Sequence, residues 1–110
     1  MNFVTDVIHD DVAVIRGDGR MNMLAASGLR RTIQSAMSRG ASKLVLDLSA
    51  VEFLDTTSLG SIVAGMKAAR DAGGDLRITA PHPQPALLLE MSRLNRVLLS
   101  SVDARSAYSV

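Results

Sequence analysis

The sequence predicts an α/β (α+β) fold: an initial hairpin, then strands alternating with helices that pack mainly on one face of the sheet. Three observations carry this. Apolar residues recur twice at helical spacing, first as Leu29, Ile33, Ala36 and Met37 and again as Leu59, Ile62, Val63 and Met66. Short strand-like runs precede, separate and follow those two stretches. Glycine and proline clusters fall between the periodic segments rather than inside them.

Taken in order, Phe3 to Ile8 and Val12 to Ile15 read as two short strands turned at Asp10 and Asp11. Arg16 to Arg20, "RGDGR", reads as a polar glycine-rich break. The first helix runs from about Leu24 to Ser38, with Arg30, Arg31, Gln34 and Ser35 mainly on its outer face and Gly40 just past its end. In Lys43 to Ser49 the leucines 44, 46 and 48 alternate with Val45 between them, the pattern of a strand buried in a sheet. The second helix ends near the glycines 73 and 74. Leu76 to Ala80 is a further strand, and prolines 81, 83 and 85 turn the chain. Ala86 to Leu94 makes a short helix, Arg96 to Ser100 a last strand, and Asp103 to Val110 a terminal helical turn. No linker, repeat or low-complexity block divides the chain, so residues 1–110 read as one domain.

Composition narrows the function classes. Hydrophobic residues make up 47% and charged residues 21% of the 110, a globular balance, and with 3% aromatics the core must be aliphatic. The absence of cysteine excludes disulfides and thiolate metal sites. A net charge of +1 lacks the basic footprint of nucleic-acid binding. The first residues lack the basic and apolar regions of a signal peptide, and no apolar run approaches the roughly 20 residues of a membrane span. The expected location is the cytoplasm.

The candidate chemistry lies in "FLDTTSLGSI", Phe53 to Ile62, where Asp55, Thr56, Thr57 and Ser58 stand before an apolar helical run. Asp and Thr side chains cap helices by accepting bonds from the unpaired N–H groups of the first turn. The same turn presents a hydroxyl at the positive end of the helix dipole, where a phosphate is stabilised. The two readings are compatible. Catalysis by Asp55 lacks companions: the histidines, His9 and His82, fall in a hairpin and a proline turn, and no Gly-x-Ser-x-Gly elbow is present. "GDGRMN" lacks the third glycine of a nucleotide loop and reads as a turn. Arg30, Arg31 and Arg39 read as a solvated helix face, a phosphate-binding or partner role being the lesser alternative.

Three blocks in this order resemble the STAS family, specifically bacterial anti-sigma factor antagonists. "GRMNMLAASGL" (Gly19 to Leu29) is similar to the family's Gly-x-Leu-Asp segment. "LVLDLSAVEFLDTTSLGSI" (Leu44 to Ile62) is similar to its signature strand and Asp-Ser-Ser-Gly-Leu-Gly. "PALLLEMSRLNRVL" (Pro85 to Leu98) is similar to its late helix and return strand. The resemblance implies a STAS-like mixed β-sheet and a non-enzymatic protein without cofactor or metal. It implies an antagonist that binds an anti-sigma factor, often a GHKL-type serine-protein kinase, and so releases a sigma factor. The kinase phosphorylates the second hydroxyl of the motif and ends the binding; a PP2C-type phosphatase restores it. Carried onto this chain, the phosphorylated residue is Thr57 and the partner-binding residues are Asn22, Asp55, Thr56, Thr57 and Ser58. Two departures from the pattern matter. Ser58 stands at the family's glycine, adding a hydroxyl beside the acceptor, and Asn22 at its aspartate, without the negative charge. These departures motivate the alternative of a STAS scaffold or regulatory subunit, in a stress-signalling assembly or a lipid-transport ABC system, with no anti-sigma role.

Overall fold

The computed structural model describes residues 2–9, 11–79, 81–94, 98 and 100–101. The expected hairpin is β1 (Val4–His9) antiparallel to β2 (Val12–Arg16), with an irregularity between Val7 and His9. β3 (Gly19–Met21) leads into α1 (Met23–Ser38), and β4 (Lys43–Asp47) follows. β5 (Val51–Leu54) leads into α2 (Thr56–Asp71), then come β6 (Asp75–Thr79), α3 (Pro83–Met91) and β7 (Ser100–Ser101). The main sheet has the order β1-β2-β4-β6-β7, with β2, β4, β6 and β7 parallel, and is therefore mixed. β3 and β5 form a separate parallel pair.

Alternation along the strands positions the core. Ala13 and Ile15 of β2, Leu44 and Leu46 of β4, and Leu76 and Ile78 of β6 lie on one face. Onto that face pack Leu29, Ile33 and Ala36 of α1 and Leu59, Ile62, Met66 and Ala69 of α2, the apolar stripes the sequence spacing predicts. Aliphatic side chains fill the cluster, as the scarcity of aromatics requires. The two helices touch closely at Gly65, where an added Cβ would stand 2.7 Å from Ile33 Cδ1. The opposite face of the sheet is covered at its centre too: Val14 and Val45, partners in register, have no exposure.

Three elements differ from the sequence reading. The "break" at Arg16 to Arg20 contains β3, which is too short and too polar for a period-2 pattern to register. Gly19 enters it at φ 81°, a left-handed conformation open to glycine. β5 was hidden for a similar reason, since its burial does not alternate: Val51 and Leu54 are buried while Glu52 is exposed. α3 starts at Pro83, inside the proline turn, because a proline in the first helical turn lacks only an N–H that has no partner there. In the expected strand Arg96 to Ser100, Ser100 belongs to β7 and Leu98 is buried, while 96, 97 and 99 lie outside the described residues, as does the expected turn 103–110.

Candidate functional site

The β3–β5 pair brings two helix starts together. Each strand runs directly into a helix, β3 through Asn22 into α1 and β5 through Asp55 into α2. The strands are parallel and paired Met21 to Leu54, so both helices begin side by side at the same end. The Asp55 N–H donates to the Met21 carbonyl at 3.2 Å, extending the ladder one step past the strands. Two positive helix ends thus face one region of the surface.

Both entry residues cap their helices. The Asn22 side-chain oxygen accepts from the Leu24 N–H at 3.0 Å, and Asp55 Oδ1 accepts from the Ser58 N–H at 2.8 Å. The Ser58 N–H bond is the chief reason the Asp55 carboxyl lies below the ordinary aspartate value. It outweighs the opposing effect of desolvation, with help from the N–H groups of Met23 and Thr57.

The three hydroxyls of the motif occupy different environments. Thr56 and Thr57, in the first turn of α2, are exposed. Ser58 is fully buried, and its hydroxyl donates to the Asn22 carbonyl at 2.9 Å. The hydroxyl that stands where the family has glycine is therefore turned inward and occupied. One turn on, the buried Ser61 hydroxyl donates to the Thr57 carbonyl at 3.4 Å and accepts from Arg30 Nε at 3.0 Å.

Around this turn the surface mixes apolar and charged groups. Met23 and Leu24, the first residues of α1, are 66% and 84% exposed. Arg20 of β3 lies over the Phe53 ring of β5, 4.2 Å from its centroid. Exposed apolar residues rimmed by polar ones mark contact surfaces. Residue spacing does not signal the Arg20–Phe53 contact, because it depends on β3 pairing with β5.

Gln84 was also missed. Its side-chain amide accepts from the Leu54 N–H at 2.8 Å and donates to the Leu54 carbonyl at 3.0 Å, as a neighbouring strand would. The residue before Asp55 is thereby held from α3, 30 positions away in the chain. His82, at the cap position of α3, holds the β4–β5 connection through Nε2 and the Ser49 carbonyl at 2.6 Å. The side chain of His9 lies outside what is described. Among the described residues no group of three His, Asp or Glu side chains is arranged to hold a metal. No helix among them is long and apolar enough to cross a membrane.

These features define a STAS domain. The family model of that domain matches residues 4–107, and the chain belongs to the STAS family. Proteins named as anti-sigma factor antagonists are among its relatives. The anti-sigma F factor antagonist of Paenibacillus polymyxa is 26% identical over 91 residues, 82% of this chain and 78% of that one. A Thermotoga maritima crystal structure superposes with a TM-score of 0.87 at 25% identity, over 96% of this chain and 90% of that one. The antagonist SpoIIAA in its unphosphorylated form superposes with a TM-score of 0.83 at 17% identity, over 96% and 92% of the two chains. The phosphorylated form of SpoIIAA from Bacillus has the same fold, with a TM-score of 0.76 over 96% of each chain.

Proposed function

We propose that this protein binds an anti-sigma factor through the paired helix starts and thereby frees a sigma factor, and that phosphorylation of Thr57 switches the binding off. The observation that carries the proposal is the division of hydroxyls at the start of α2: Thr57 is exposed, whereas Ser58 is buried and bonded to Asn22. SpoIIAA, which has this fold, exists in unphosphorylated and phosphorylated forms, and that supports phosphorylation as the kind of modification this fold takes.

The partner is an ATP-using anti-sigma factor of the GHKL-type serine-protein kinase class. Asn22, Asp55, Thr56, Thr57 and Ser58 form or support the contact, with Met23 and Leu24 as its apolar anchors. The γ-phosphoryl group of ATP passes to Thr57 Oγ, the hydroxyl proton leaves, and ADP departs. The product adds about −1.5 to −2 charge to a surface that had docked the partner, and the complex separates. A PP2C-type phosphatase hydrolyses the ester and restores binding. The protein itself acts by association, without cofactor or turnover, and in the cytoplasm where sigma factors work. Residues 1–110 act as one domain.

Incubation with the cognate anti-sigma kinase and ATP, followed by peptide mass spectrometry, tests the acceptor. Phosphate is expected on Thr57 and not on Ser58, and Thr57→Glu is expected to weaken binding of the anti-sigma factor. Phosphate exclusively at another residue, or binding unchanged by Thr57→Glu, overturns the switch.

A further inference from the structure

Arg30, expected from the sequence on the outer face of α1, stands instead at the seam between α1 and α2, and the proposed switch leaves its charge unused. Arg30 Nε donates to the Ser61 hydroxyl at 3.0 Å, bridging from α1 to α2. That hydroxyl donates in turn to the Thr57 carbonyl at 3.4 Å. Thr57 and Ser61 are four residues apart on one face of α2, so their Cβ atoms lie about 5–6 Å apart. The guanidinium of Arg30 therefore stands about one helical turn from Thr57.

Among the described residues no carboxylate is paired with Arg30; the one at the start of α2, Asp55, is taken up in capping the helix through the Ser58 N–H. A guanidinium has five N–H donors and no acceptor, and Ser61 uses one of them. α1 contains no acidic residue, and α2 contains none before Asp71 at its last position. A neutral serine is a poor terminus for a cation that elsewhere pairs with carboxylates or phosphates.

We propose that Arg30 receives the phosphate on Thr57, forming a bidentate guanidinium–phosphate pair that joins the starts of α1 and α2. The inference rests on Thr57 as the modified residue. Phosphorylation then does more than place a repulsive charge in the interface. It transfers Arg30 from a serine hydroxyl to a dianion, stiffens the turn that a partner must grip, and withdraws Arg30 from any acidic group of that partner.

The test installs phosphothreonine at position 57 during translation, in the wild-type, Arg30→Gln and Arg30→Lys proteins, and follows the phosphate by phosphorus NMR as a function of pH. Asp55, Arg20 and Glu52 and the two helix starts are common to all three, so differences report residue 30. The phosphate of the wild-type protein is expected to titrate about 0.5–1 pH unit below that of Arg30→Gln. Arg30→Lys is expected between them, because an ammonium keeps the charge but not the fork. Equal midpoints in wild type and Arg30→Gln overturn the pair. If Arg30→Gln fails to fold, a midpoint in Arg30→Lys equal to that of wild type overturns it instead. No kinase takes part, so a failure of the kinase to use Thr57 would count against the proposed switch and leave this result standing, whereas equal midpoints remove the role of Arg30 alone.

Discussion

The Ser58 hydroxyl and the Asn22 carbonyl are hydrogen-bonded at 2.9 Å, with Ser58 fully buried. The two departures from the family pattern that change the chemistry of the site, Asn22 and Ser58, are therefore in contact. The Ser58 hydroxyl is engaged inside the fold, where it stitches the start of α2 to the start of α1. Ser58→Gly, which restores the family residue, removes that bond and places a glycine in the first turn of a helix. The Asn22 carbonyl keeps the Ala25 N–H, so no buried acceptor is orphaned. The expected cost is about 1–2 kcal/mol in urea unfolding. No loss of stability would mean that the stitch contributes nothing.

Asn22→Asp restores the other family residue and separates capping from charge. Asn and Asp cap about equally well, so stability should stay within about 0.5 kcal/mol. If the carboxylate contributes to recognition by the kinase, Thr57 is phosphorylated faster in the variant, measured by phosphate incorporation over time. An unchanged rate would show that the kinase does not read this position.

Gln84 is expected to control the approach to Asp55. Gln84→Leu leaves the Leu54 N–H and carbonyl without their partner, at a cost of about 1–3 kcal/mol. The diagnostic readout is hydrogen exchange. The Leu54 amide should exchange much faster in the variant, whereas the Val45 amide in the central strand should change only as far as global stability does. Uniform acceleration at both sites would contradict a local role.

The helices were legible in the sequence because their apolar stripes are long: Leu29, Ile33 and Ala36 in one, and Leu59, Ile62 and Met66 in the other, all enter the core. β4 was legible from the buried run Leu44 to Leu46. β3 and β5 were not, since three and four residues cannot display a period and each is stabilised by the other across the fold. The same limit applied at the site. Asp55 as a cap follows from its position before a helical run, but the inward turn of Ser58 depends on Asn22, 36 positions earlier. The grip of Gln84 on Leu54 is likewise a product of tertiary packing, with no local signal.

Gly65 tests how closely the helices must approach. A Cβ there would fall 2.7 Å from Ile33 Cδ1 and 3.2 Å from Leu76 Cδ1. Alanine can gain helix propensity while Ile33 shifts, so its net effect is small. Valine adds two methyl groups to a filled contact, and Gly65→Val should cost about 1–3 kcal/mol. Ile33→Val in the same protein should recover part of that loss, and a double-mutant cycle with zero coupling would contradict the contact.

Acid should loosen the molecule through two aspartates whose carboxyls lie below the ordinary value of 3.8. For Asp55 the cause is chiefly the Ser58 N–H. For Asp47, burial pushes the carboxyl upward but is outweighed by hydrogen bonds from Ser49, Thr79 and Arg16. A carboxyl depressed on folding stabilises the native state above its unfolded value, and that stabilisation fades as pH falls toward the folded value. The urea midpoint should therefore hold from neutrality to about pH 5 and decline below about pH 4. Asp55→Asn can still cap α2 but no longer titrates. Combined with Asp47→Asn, it should lower stability at neutral pH and flatten the acid decline. An acid decline of unchanged steepness in the double variant would assign it to other carboxylates.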